Sequence, residues 1–296
     1  MPDDARGLVT EATDRLRRSG SPSPRLDAEL LVASAFGRDR AWLAAHPEAP
    51  LEPGASLTLA GWLERRANGE PIAYIRGFKE WLSLRVMTDS RALIPRPETE
   101  LLAEAAIDEI AGRLVRDARP IAAWEVATGS GAVTLALALR FRTSVALGRV
   151  RLAATDLSPE ALELASENLA AHGVAGLVAL GTGDLLEPAV LPAPLKPDVV
   201  IANLPYLSSG EASAGEGSLR HEPRAALDGG PDGLAVVRRL LDQLPDGLAP
   251  GGTALLEIGD GQADAVREHV AGLHVPATVG SLRDLAGVER LVRIDS

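Results

Sequence analysis

The chain has 296 residues, a length that favours one larger domain and one small one. It contains no cysteine, which excludes disulfides, thiolate metal sites and cysteine nucleophiles, and its five histidines lack the spacing of a zinc site. A net charge of −11, from 41 acidic and 30 basic side chains, argues against a protein that binds a nucleic-acid backbone. The N-terminus is charged and no apolar run reaches the ~18 residues of a membrane span, so we expect a cytoplasmic protein without a signal peptide or membrane segment.

Residues 1–72 are predicted to form a small helical domain. Apolar residues recur there at helical spacing in two places, Leu26, Leu30 and Ala33 and then Leu59, Trp62 and Leu63. In residues 74–86, aromatic and β-branched side chains alternate loosely with polar ones, which predicts a hairpin or a connecting ribbon. Pro97 followed by Glu98 and Glu100 predicts the start of a helix, with the proline in its first turn and the acids near the positive end of the helix dipole.

From Pro120 onwards, short apolar runs alternate with helical stretches. The predicted helices cover residues 131–142, 159–172, 232–248 and 261–271, and a final pair of apolar runs lies near 275–281 and 288–294. Strands that alternate with helices indicate βαβ units and a mostly parallel sheet, as in α/β domains. Ligands bind outside the carboxyl ends of the strands in such sheets, so we expect a site at the last residues of the strands.

The first of these strands ends in the stretch from Glu125 to Gly131, EVATGSG. Gly129 and Gly131 lie where the strand turns into a helix, and a residue without a side chain lets the backbone approach a ligand closely. The alternative is a tight turn that binds nothing. No GKS or GKT follows, which excludes a Walker-type phosphate loop, and Thr134 breaks the dinucleotide pattern GxGxxG. We interpret the turn as part of a cofactor site.

Two acids follow the next two predicted strands. Asp156 could accept hydrogen bonds from both ribose hydroxyls of a nucleoside. Alternatively it only caps the following helix, but Ser158 before Pro159 is a better N-cap and leaves Asp156 for a ligand. Asp184 in the stretch 183–185 could meet an adenine amino group, although alone it resembles any turn. Together these features predict a pocket for an adenosyl group without phosphates, which fits S-adenosylmethionine better than NAD or ATP.

A fourth strand ends in Asn203-Leu204-Pro205-Tyr206. The amide oxygen of Asn203 and the backbone carbonyl of Leu204 are two acceptors, and the following proline holds Leu204 extended. Two acceptors can bind both hydrogens of a planar NH2 group and aim its nitrogen at a methyl donor, while Tyr206 can stack on the substrate plane. The alternative is a turn with a buried tyrosine. Taken alone, this clamp suits an adenine or a glutamine.

Motifs along almost the whole chain carry a family resemblance. They are GEPIAYIRGFKEW (69–81), LIPRPETELL (93–102), the glycine turn, TDLSPEAL, IANLPY, HEPRAALDGGPDGL (221–234), LEIGDGQ (256–262) and DLAGVERLV (284–292). The combination of PRPETE upstream with EPRAALDGGPDG downstream is the most specific part. In these motifs the chain resembles the protein-(glutamine-N5) methyltransferases of the HemK/PrmC type, which modify peptide-chain release factors.

The resemblance implies a seven-stranded, Rossmann-like class I methyltransferase sheet in residues 93–296, joined by a hairpin in residues 73–92 to an all-helical, substrate-recognising domain in residues 1–72. It implies that the enzyme methylates the glutamine of the GGQ motif of a release factor, and we expect a monomer that binds neither nucleic acid, metal nor membrane. By position, the cofactor contacts would be Glu125, Ala127, Thr128, Gly129, Ser130, Gly131, Asp156, Asp184, Leu185 and Asn203. The substrate amide would be held by Asn203, Leu204, Pro205 and Tyr206, with Asn203, Pro205 and Tyr206 as catalytic residues.

Two positions depart from the family pattern. Leu204 stands where the family usually has a proline, and Ala127 stands where it usually has glycine, at a cost of about 1 kcal/mol if φ is positive there. Asn-Leu-Pro-Tyr also resembles the motif of rRNA adenine N6 dimethyltransferases, so methylation of adenine in RNA or DNA is the main alternative, which the acidic charge and the flanking motifs oppose. A third possibility is an inactive cofactor-binding protein, against which intact Asn203 and Asp156 argue.

Overall fold

The computed structural model describes residues 4–187, 196–215 and 217–296. The chain divides into two compact units, Met1–Phe78 with Glu216–His221, and Lys79–Gly215 with Glu222–Ser296. No helix within the described ranges is long and apolar enough to cross a membrane.

The first unit is built from five helices, α1 (Ala5–Arg18), α2 (Pro24–Ala35), α3 (Arg40–Ala45), α4 (Pro53–Ala67) and α5 (Ile72–Arg76). Asp4 and Asp39 begin α1 and α3 as N-caps, each accepting a backbone N–H at 2.7 Å. Apolar side chains from α1 to α5 form one buried core. Beside it, Arg66 of α4 donates to the buried Asp27 of α2 at 2.8 Å, which joins two helices by a charge pair. The predicted small helical domain is confirmed in its helical character.

A two-stranded sheet follows, made of β1 (Phe78–Trp81) and β2 (Leu84–Met87), within the range for which the sequence predicted a hairpin. Its two-residue loop is Leu82-Ser83, with φ values of 46° and 60°. Positive φ at both loop residues is the backbone conformation of a type I′ turn, which is one of the two turn types whose twist matches that of the paired strands. The loop is held by Glu100, whose carboxylate accepts the Leu82 N–H at 3.1 Å.

The second unit contains α6 (Thr99–Arg116), β3 (Ile121–Val126), α7 (Ala132–Arg140), α8 (Arg142–Ala146), β4 (Val150–Asp156), α9 (Pro159–Ala171), β5 (Val178–Thr182), β6 (Val199–Asn203), α10 (Ser209–Ala214), α11 (Ala235–Gly247), β7 (Thr253–Glu257), α12 (Ala263–Gly272), β8 (Thr278–Arg283) and β9 (Glu289–Asp295). Its seven strands lie in the order β5-β4-β3-β6-β7-β9-β8. Strands β3 to β7 run parallel, while β9 runs antiparallel to β7 and β8. The predicted α/β fold with a seven-stranded sheet is confirmed.

Strand β6 shows why the apolar runs are continuous. Val199 and Ile201 pack into a core on one face of the sheet, and Val200 and Ala202 pack into a second core on the other. Successive side chains of a strand point to opposite faces, so a strand covered on both sides needs apolar residues throughout. The strand order reverses between β3 and β6, and a crevice at such a switch point is where ligands of α/β sheets bind.

Helix boundaries differ from the sequence prediction at two places that matter for the site. Helix α6 begins at Thr99, so Pro97 precedes the helix and its carbonyl accepts the Glu100 N–H at 3.1 Å in the turn that leads into it. Helix α11 begins at Ala235 because Gly233, with φ of 76°, still belongs to the preceding loop. Helices α8 and α10 were not predicted, since five or six residues give too short a periodic pattern.

Candidate active site

A cavity of about 510 Å³ opens at the carboxyl ends of β3, β4 and β6. The predicted site residues that line it are Glu125, Ala127, Thr128, Gly129, Ser130, Asp156, Asp184, Leu185, Asn203, Leu204 and Pro205. Gly131 and Tyr206 lie next to it in sequence but are not among its described lining residues. A volume of this size is typical of small-molecule sites, so the strand ends that the sequence singled out meet around one concave site.

The turn after β3 depends on left-handed backbone conformations. Ala127, Gly129 and Gly131 have φ values of 53°, 55° and 76°. A Cβ atom on Gly131 would lie 2.9 Å from the Cβ and 3.1 Å from the Cα of Ala165, so this glycine permits close packing of α7 against α9. Ala127 carries a methyl group at positive φ, which costs about 1 kcal/mol. This is the cost predicted from the sequence for a positive φ at Ala127.

Glu125 lies beneath this turn, and one of its carboxylate oxygens accepts three hydrogen bonds. Its Oε2 accepts from the Thr128 hydroxyl at 2.8 Å, from the Thr134 N–H at 2.9 Å and from the Thr134 hydroxyl. Burial raises the pKa of Glu125 to about 7, against the hydrogen bonds from Thr134 and Thr128, which lower it. Glu125 therefore holds the turn and the first residues of α7 together, with Thr134 as a partner to which the sequence analysis gave no such role.

Asp156 joins the two turns that follow β3 and β4. Its Oδ2 accepts the Gly129 N–H at 2.8 Å, and its Oδ1 accepts the Ser158 N–H at 2.9 Å. Burial raises the pKa of Asp156, and hydrogen bonds from backbone amides act against that rise. The Ser158 hydroxyl accepts the Ala161 N–H at 3.1 Å, which confirms Ser158 as the N-cap of α9. A carboxylate oxygen can accept more than one bond, so Asp156 keeps acceptor capacity towards the cavity.

Leu185 is buried against the cavity in a left-handed conformation, with φ of 58°. A branched residue adopts this conformation only where its surroundings enforce it, and such positions concentrate at binding sites. The neighbouring Asp184 is paired with Arg239 of α11 at 2.6 Å. The Asp184 carboxylate therefore has a protein partner, whereas the sequence predicted an adenine amino group as its partner.

The arginines among the described lining residues of the cavity all have carboxylate partners. Arg239 pairs with Asp184, and Arg96 pairs with the buried Glu222 at 2.7 Å. Arg91 donates to both Asp89 and Glu167 at 2.8 and 2.7 Å. Phosphate sites need free donors or cations, whereas this cavity offers an acidic strand end and paired arginines. Its chemistry suits a nucleoside better than a nucleotide.

Asn203 ends β6 and is anchored from α6. Its Nδ2 donates to the Thr99 hydroxyl oxygen at 3.0 Å, and Thr99 is 5% exposed at the first position of α6. Within the described ranges no residue donates to the Asn203 Oδ1, which remains an acceptor at the cavity. No local sequence pattern predicts this role of Thr99, because its contact with Asn203 spans 104 residues of sequence.

The residues after Asn203 are fixed by loops on both sides. Leu204 is 2% exposed and packs into one of the two cores of the sheet. The Tyr206 carbonyl accepts from the Gln262 side chain at 2.9 Å, and Gln262 in turn accepts the Gly259 N–H at 2.8 Å. Tyr206 itself is half-buried, and burial raises its pKa. The turn is therefore rigid, with its tyrosine partly accessible.

The motif EPRAALDGGPDG encloses this turn. Cβ atoms on Gly229 and Gly233 would collide with the Pro205 carbonyl, at 2.5 Å, and with the Tyr206 carbonyl respectively, so only glycine fits at either position. At the other end of the motif, the Glu222 carboxylate accepts the Ile94 N–H at 3.1 Å besides its bond with Arg96. The segment therefore ties the PRPETE loop and the Asn203 turn into one frame, which gives a physical reason for the specificity of both motifs.

Glu257 is a further acid that the sequence analysis missed. It ends β7 in register with Asn203 of β6 and is 2% exposed. Neither of its carboxylate oxygens has a hydrogen-bond partner of normal geometry among the residues that the structure describes. Burial raises the pKa of Glu257 to about 7, and the nearby Thr99 hydroxyl opposes that rise. Glu257 lies in the motif LEIGDGQ (256–262). An acid after an apolar run does not by itself indicate which residues of other elements surround it.

A seven-stranded sheet with this strand order, one antiparallel strand and a ligand-sized cavity at the carboxyl ends of its parallel strands defines a class I methyltransferase. The catalytic domain of hMettl16, solved in complex with the MAT2A 3'UTR hairpin 6, shares the fold with a TM-score of 0.51 and 12% identity, covering 82% of this chain and 81% of that one.

Sequence comparison narrows the class to a family. The PrmC N-terminal domain family matches residues 7–77. The release factor glutamine methyltransferase of Deinococcus radiodurans is 38% identical over 289 residues, 97% of each chain. That of Bordetella pertussis is 40% identical over 272 residues, 90% of this chain and 93% of the relative. The chain belongs to the release factor glutamine methyltransferase family.

Proposed function

We propose that this enzyme transfers a methyl group from S-adenosylmethionine to the side-chain amide N5 of the glutamine in the GGQ motif of a peptide-chain release factor. Similarity to relatives of that name over 97% of the chain supports the reaction. The observation that carries it is the geometry of Asn203, whose Nδ2 is bound to Thr99 while its Oδ1 remains an acceptor at the cavity. A substrate NH2 group needs acceptors, and the Asn203 Oδ1 offers one at the end of β6.

The residues of the cavity fit S-adenosylmethionine, which supplies a methyl group on a cationic sulfur when bound. Asp156 would accept from the ribose hydroxyls with the capacity left after its two backbone bonds. Leu185 and Asp184 would lie beside the adenine, and residues 127–131 would line the rest of the cofactor. The paired arginines support a ligand without phosphates.

The substrate amide would be held by the clamp at the end of β6. The Asn203 Oδ1 and the Leu204 carbonyl would accept one amide hydrogen each, which aims the nitrogen lone pair away from the clamp and towards the methyl donor. The Leu204 side chain is buried in the core, so packing holds its backbone at the position where the family usually has the first proline of Asn-Pro-Pro-Tyr. Pro205 and Tyr206 would close the clamp, with the tyrosine ring against the substrate plane.

Methylation of adenine N6 in nucleic acid is the alternative, because an exocyclic amino group fits the same clamp. The net charge of −11 and the family of the full-length relatives disfavour it. We expect release-factor methylation without direct binding of nucleic acid.

The deciding experiment supplies the full-length enzyme with S-adenosylmethionine labelled in its methyl group. One reaction contains a release factor, a matched one contains the same factor with the GGQ glutamine replaced by alanine, and two others contain rRNA or DNA. We expect label on the glutamine of the first reaction alone, mapped by mass spectrometry of peptides. Label on nucleic acid only would overturn the proposal.

A further inference from the structure

Three polar residues meet at the carboxyl ends of β6 and β7: the half-buried Asn203 and the buried Thr99, which line the cavity, and the buried Glu257. Asn203 and Glu257 are paired in register on neighbouring parallel strands, which puts their side chains on the same face of the sheet. Thr99 from α6 approaches both, accepting from the Asn203 Nδ2 at 3.0 Å and acting on the pKa of the Glu257 carboxyl. These three residues are called the amide anchor below. They come from three different elements, so only the folded sheet brings them together.

The number of hydrogens that each group can donate decides which members of the amide anchor donate and which accept. A threonine hydroxyl has one hydrogen to donate and two lone pairs to accept with. When it accepts from the Asn203 amide, its hydrogen is left for another acceptor, and an ionised carboxylate can only accept. Glu257 is the buried acceptor beside it and has no competing partner of normal geometry in the described part of the chain.

Other charged groups surround Glu257 without pairing with it. Glu98 and Arg96 approach from the loop before α6, Arg290 approaches from β9, and the Tyr206 ring lies on the side of β6. Arg96 is bound to Glu222 and Arg290 to Asp284, at 2.7 and 3.3 Å. Among the described residues Glu257 has no ion pair and no hydrogen bond of normal geometry, and the Thr99 hydroxyl is a nearby donor that lowers its pKa.

We propose that Glu257 and Thr99 are positioning residues that fix which way the Asn203 amide faces. Glu257 takes the hydroxyl hydrogen of Thr99, Thr99 then acts only as an acceptor towards the Asn203 Nδ2, and the Oδ1 is left for the substrate. The inference rests on the proposed role of Asn203 in holding the substrate amide.

The orientation matters because the two ends of an asparagine amide are nearly equal in size but opposite in hydrogen bonding. A flipped Asn203 would present its own NH2 group to the NH2 group of the substrate. Donor would then face donor, and the clamp would lose one of its two acceptors. Packing alone cannot prevent such a flip, whereas an acceptor fixed behind the amide can.

Thr99→Val tests the anchor by removing the hydroxyl while keeping the shape of the side chain. We expect kcat for a release factor to fall roughly 10- to 100-fold, the loss for an oriented hydrogen bond at a charge-linked site, with the cofactor Kd unchanged. Thr99→Ser keeps the hydroxyl and should restore kcat to within about threefold of the parent enzyme. Thr278→Val, at an exposed threonine that begins β8, is the matched control and should change neither value.

Glu257→Leu and Glu257→Gln separate the acceptor from the charge. Leucine removes the acceptor and should lower kcat as Thr99→Val does, while glutamine keeps a carbonyl oxygen and should lower it less. If Glu257→Leu kept the parent kcat, Glu257 would have no positioning role. If Thr99→Val kept it, the anchor as a whole would be wrong.

A measurement without turnover separates this inference from the proposed function. In spectra of 15N-labelled enzyme, the Asn203 side-chain amide is assigned by its loss in Asn203→Ala. We expect one of its hydrogens to exchange slowly with solvent in the parent and in Thr99→Ser, and rapidly in Thr99→Val. Unchanged exchange in Thr99→Val would overturn the anchor even in an active enzyme. If the hydrogen lost its protection in Thr99→Val but the parent enzyme methylated no GGQ protein, the proposed reaction would be wrong. The role of the amide anchor would still be supported.

Discussion

Glu125 and Glu257 are two buried acids near the carboxyl ends of β3 and β7, which lie on either side of β6. Burial raises the pKa of each to about 7. They differ in their partners. Glu125 accepts hydrogen bonds from Thr128 and Thr134, whereas Glu257 has no bond of normal geometry within the described residues. Burial alone therefore does not distinguish a structural acid from one available for function. The number of partners does, because a satisfied carboxylate stabilises its turn while an unsatisfied one costs stability.

Glu257 lies beside Asn203, the residue proposed to hold the substrate amide, and replacing Asn203 by alanine should have the largest effect. Loss of the Oδ1 acceptor should lower kcat by roughly 100-fold or more, the usual effect of removing one polar contact to the reacting group. Cofactor affinity, measured by calorimetry, should stay close to that of the parent. A variant that methylated a release factor as fast as the parent would remove Asn203 from the mechanism.

Glu125 lies beneath the turn of the proposed cofactor site, and replacing Asp156 by alanine tests the cofactor contact proposed there. We expect cofactor affinity to fall roughly 10- to 100-fold, because a charged acceptor for the ribose is lost. Ser158→Ala is the control, since it removes the N-cap of α9 at a stability cost of about 1 kcal/mol and leaves the Asp156 carboxylate in place. Equal losses of affinity in both variants would show that Asp156 only orders the turns.

Glu257→Gln should make the enzyme more stable at alkaline pH. The folded pKa of about 7 lies above the ordinary value of 4.5, so the folded state holds an extra proton between these values and stability falls as the pH rises through that window. At pH 8 the free energy of unfolding of the variant should be about 1–2 kcal/mol higher than that of the parent. Below pH 4.5 this difference should vanish.

Denaturant titrations at several pH values measure this difference, and Glu125→Gln provides the contrast. The pKa of Glu125 is raised as much as that of Glu257, but its carboxylate accepts three hydrogen bonds that a glutamine amide cannot all replace. The loss of these bonds should offset the gain at alkaline pH, so Glu125→Gln should bring no comparable stabilisation. A stabilisation of similar size in both variants would contradict the distinction drawn between the two acids.

Ala127→Gly should have the smallest effect. Glycine relieves the strain at φ of 53° but adds freedom to the unfolded chain, so we expect a net stabilisation below about 1 kcal/mol with kcat unchanged. Thermal unfolding of the two proteins side by side is sufficient to detect it. A clear loss of stability would mean that the Ala127 methyl group contributes packing that outweighs its strain.

Much of the site could be read from the sequence because it lies at strand ends. Hydrophobic periodicity placed the strands, and the rule for parallel sheets placed Asp156 and Asn203 at a common edge. Thr99 and Glu257 escaped prediction because neither follows a local rule. The first begins a helix where the sequence favoured Pro97 as the start, and the second ends a strand with an acid like many others.

By itself, the sequence predicted the α/β fold, the small helical unit, the glycine turn after β3 and the Asn203-Leu204-Pro205-Tyr206 turn after β6, because periodicity and turn chemistry act over a few residues. Only the tertiary structure decided which polar groups find partners. Glu222 reaches Ile94 across 128 residues of sequence, and Asn203 reaches Thr99 across 104. Such contacts depend on strand order and register, which no local pattern encodes, and they decide that Glu125 is satisfied while Glu257 is left beside the amide of Asn203.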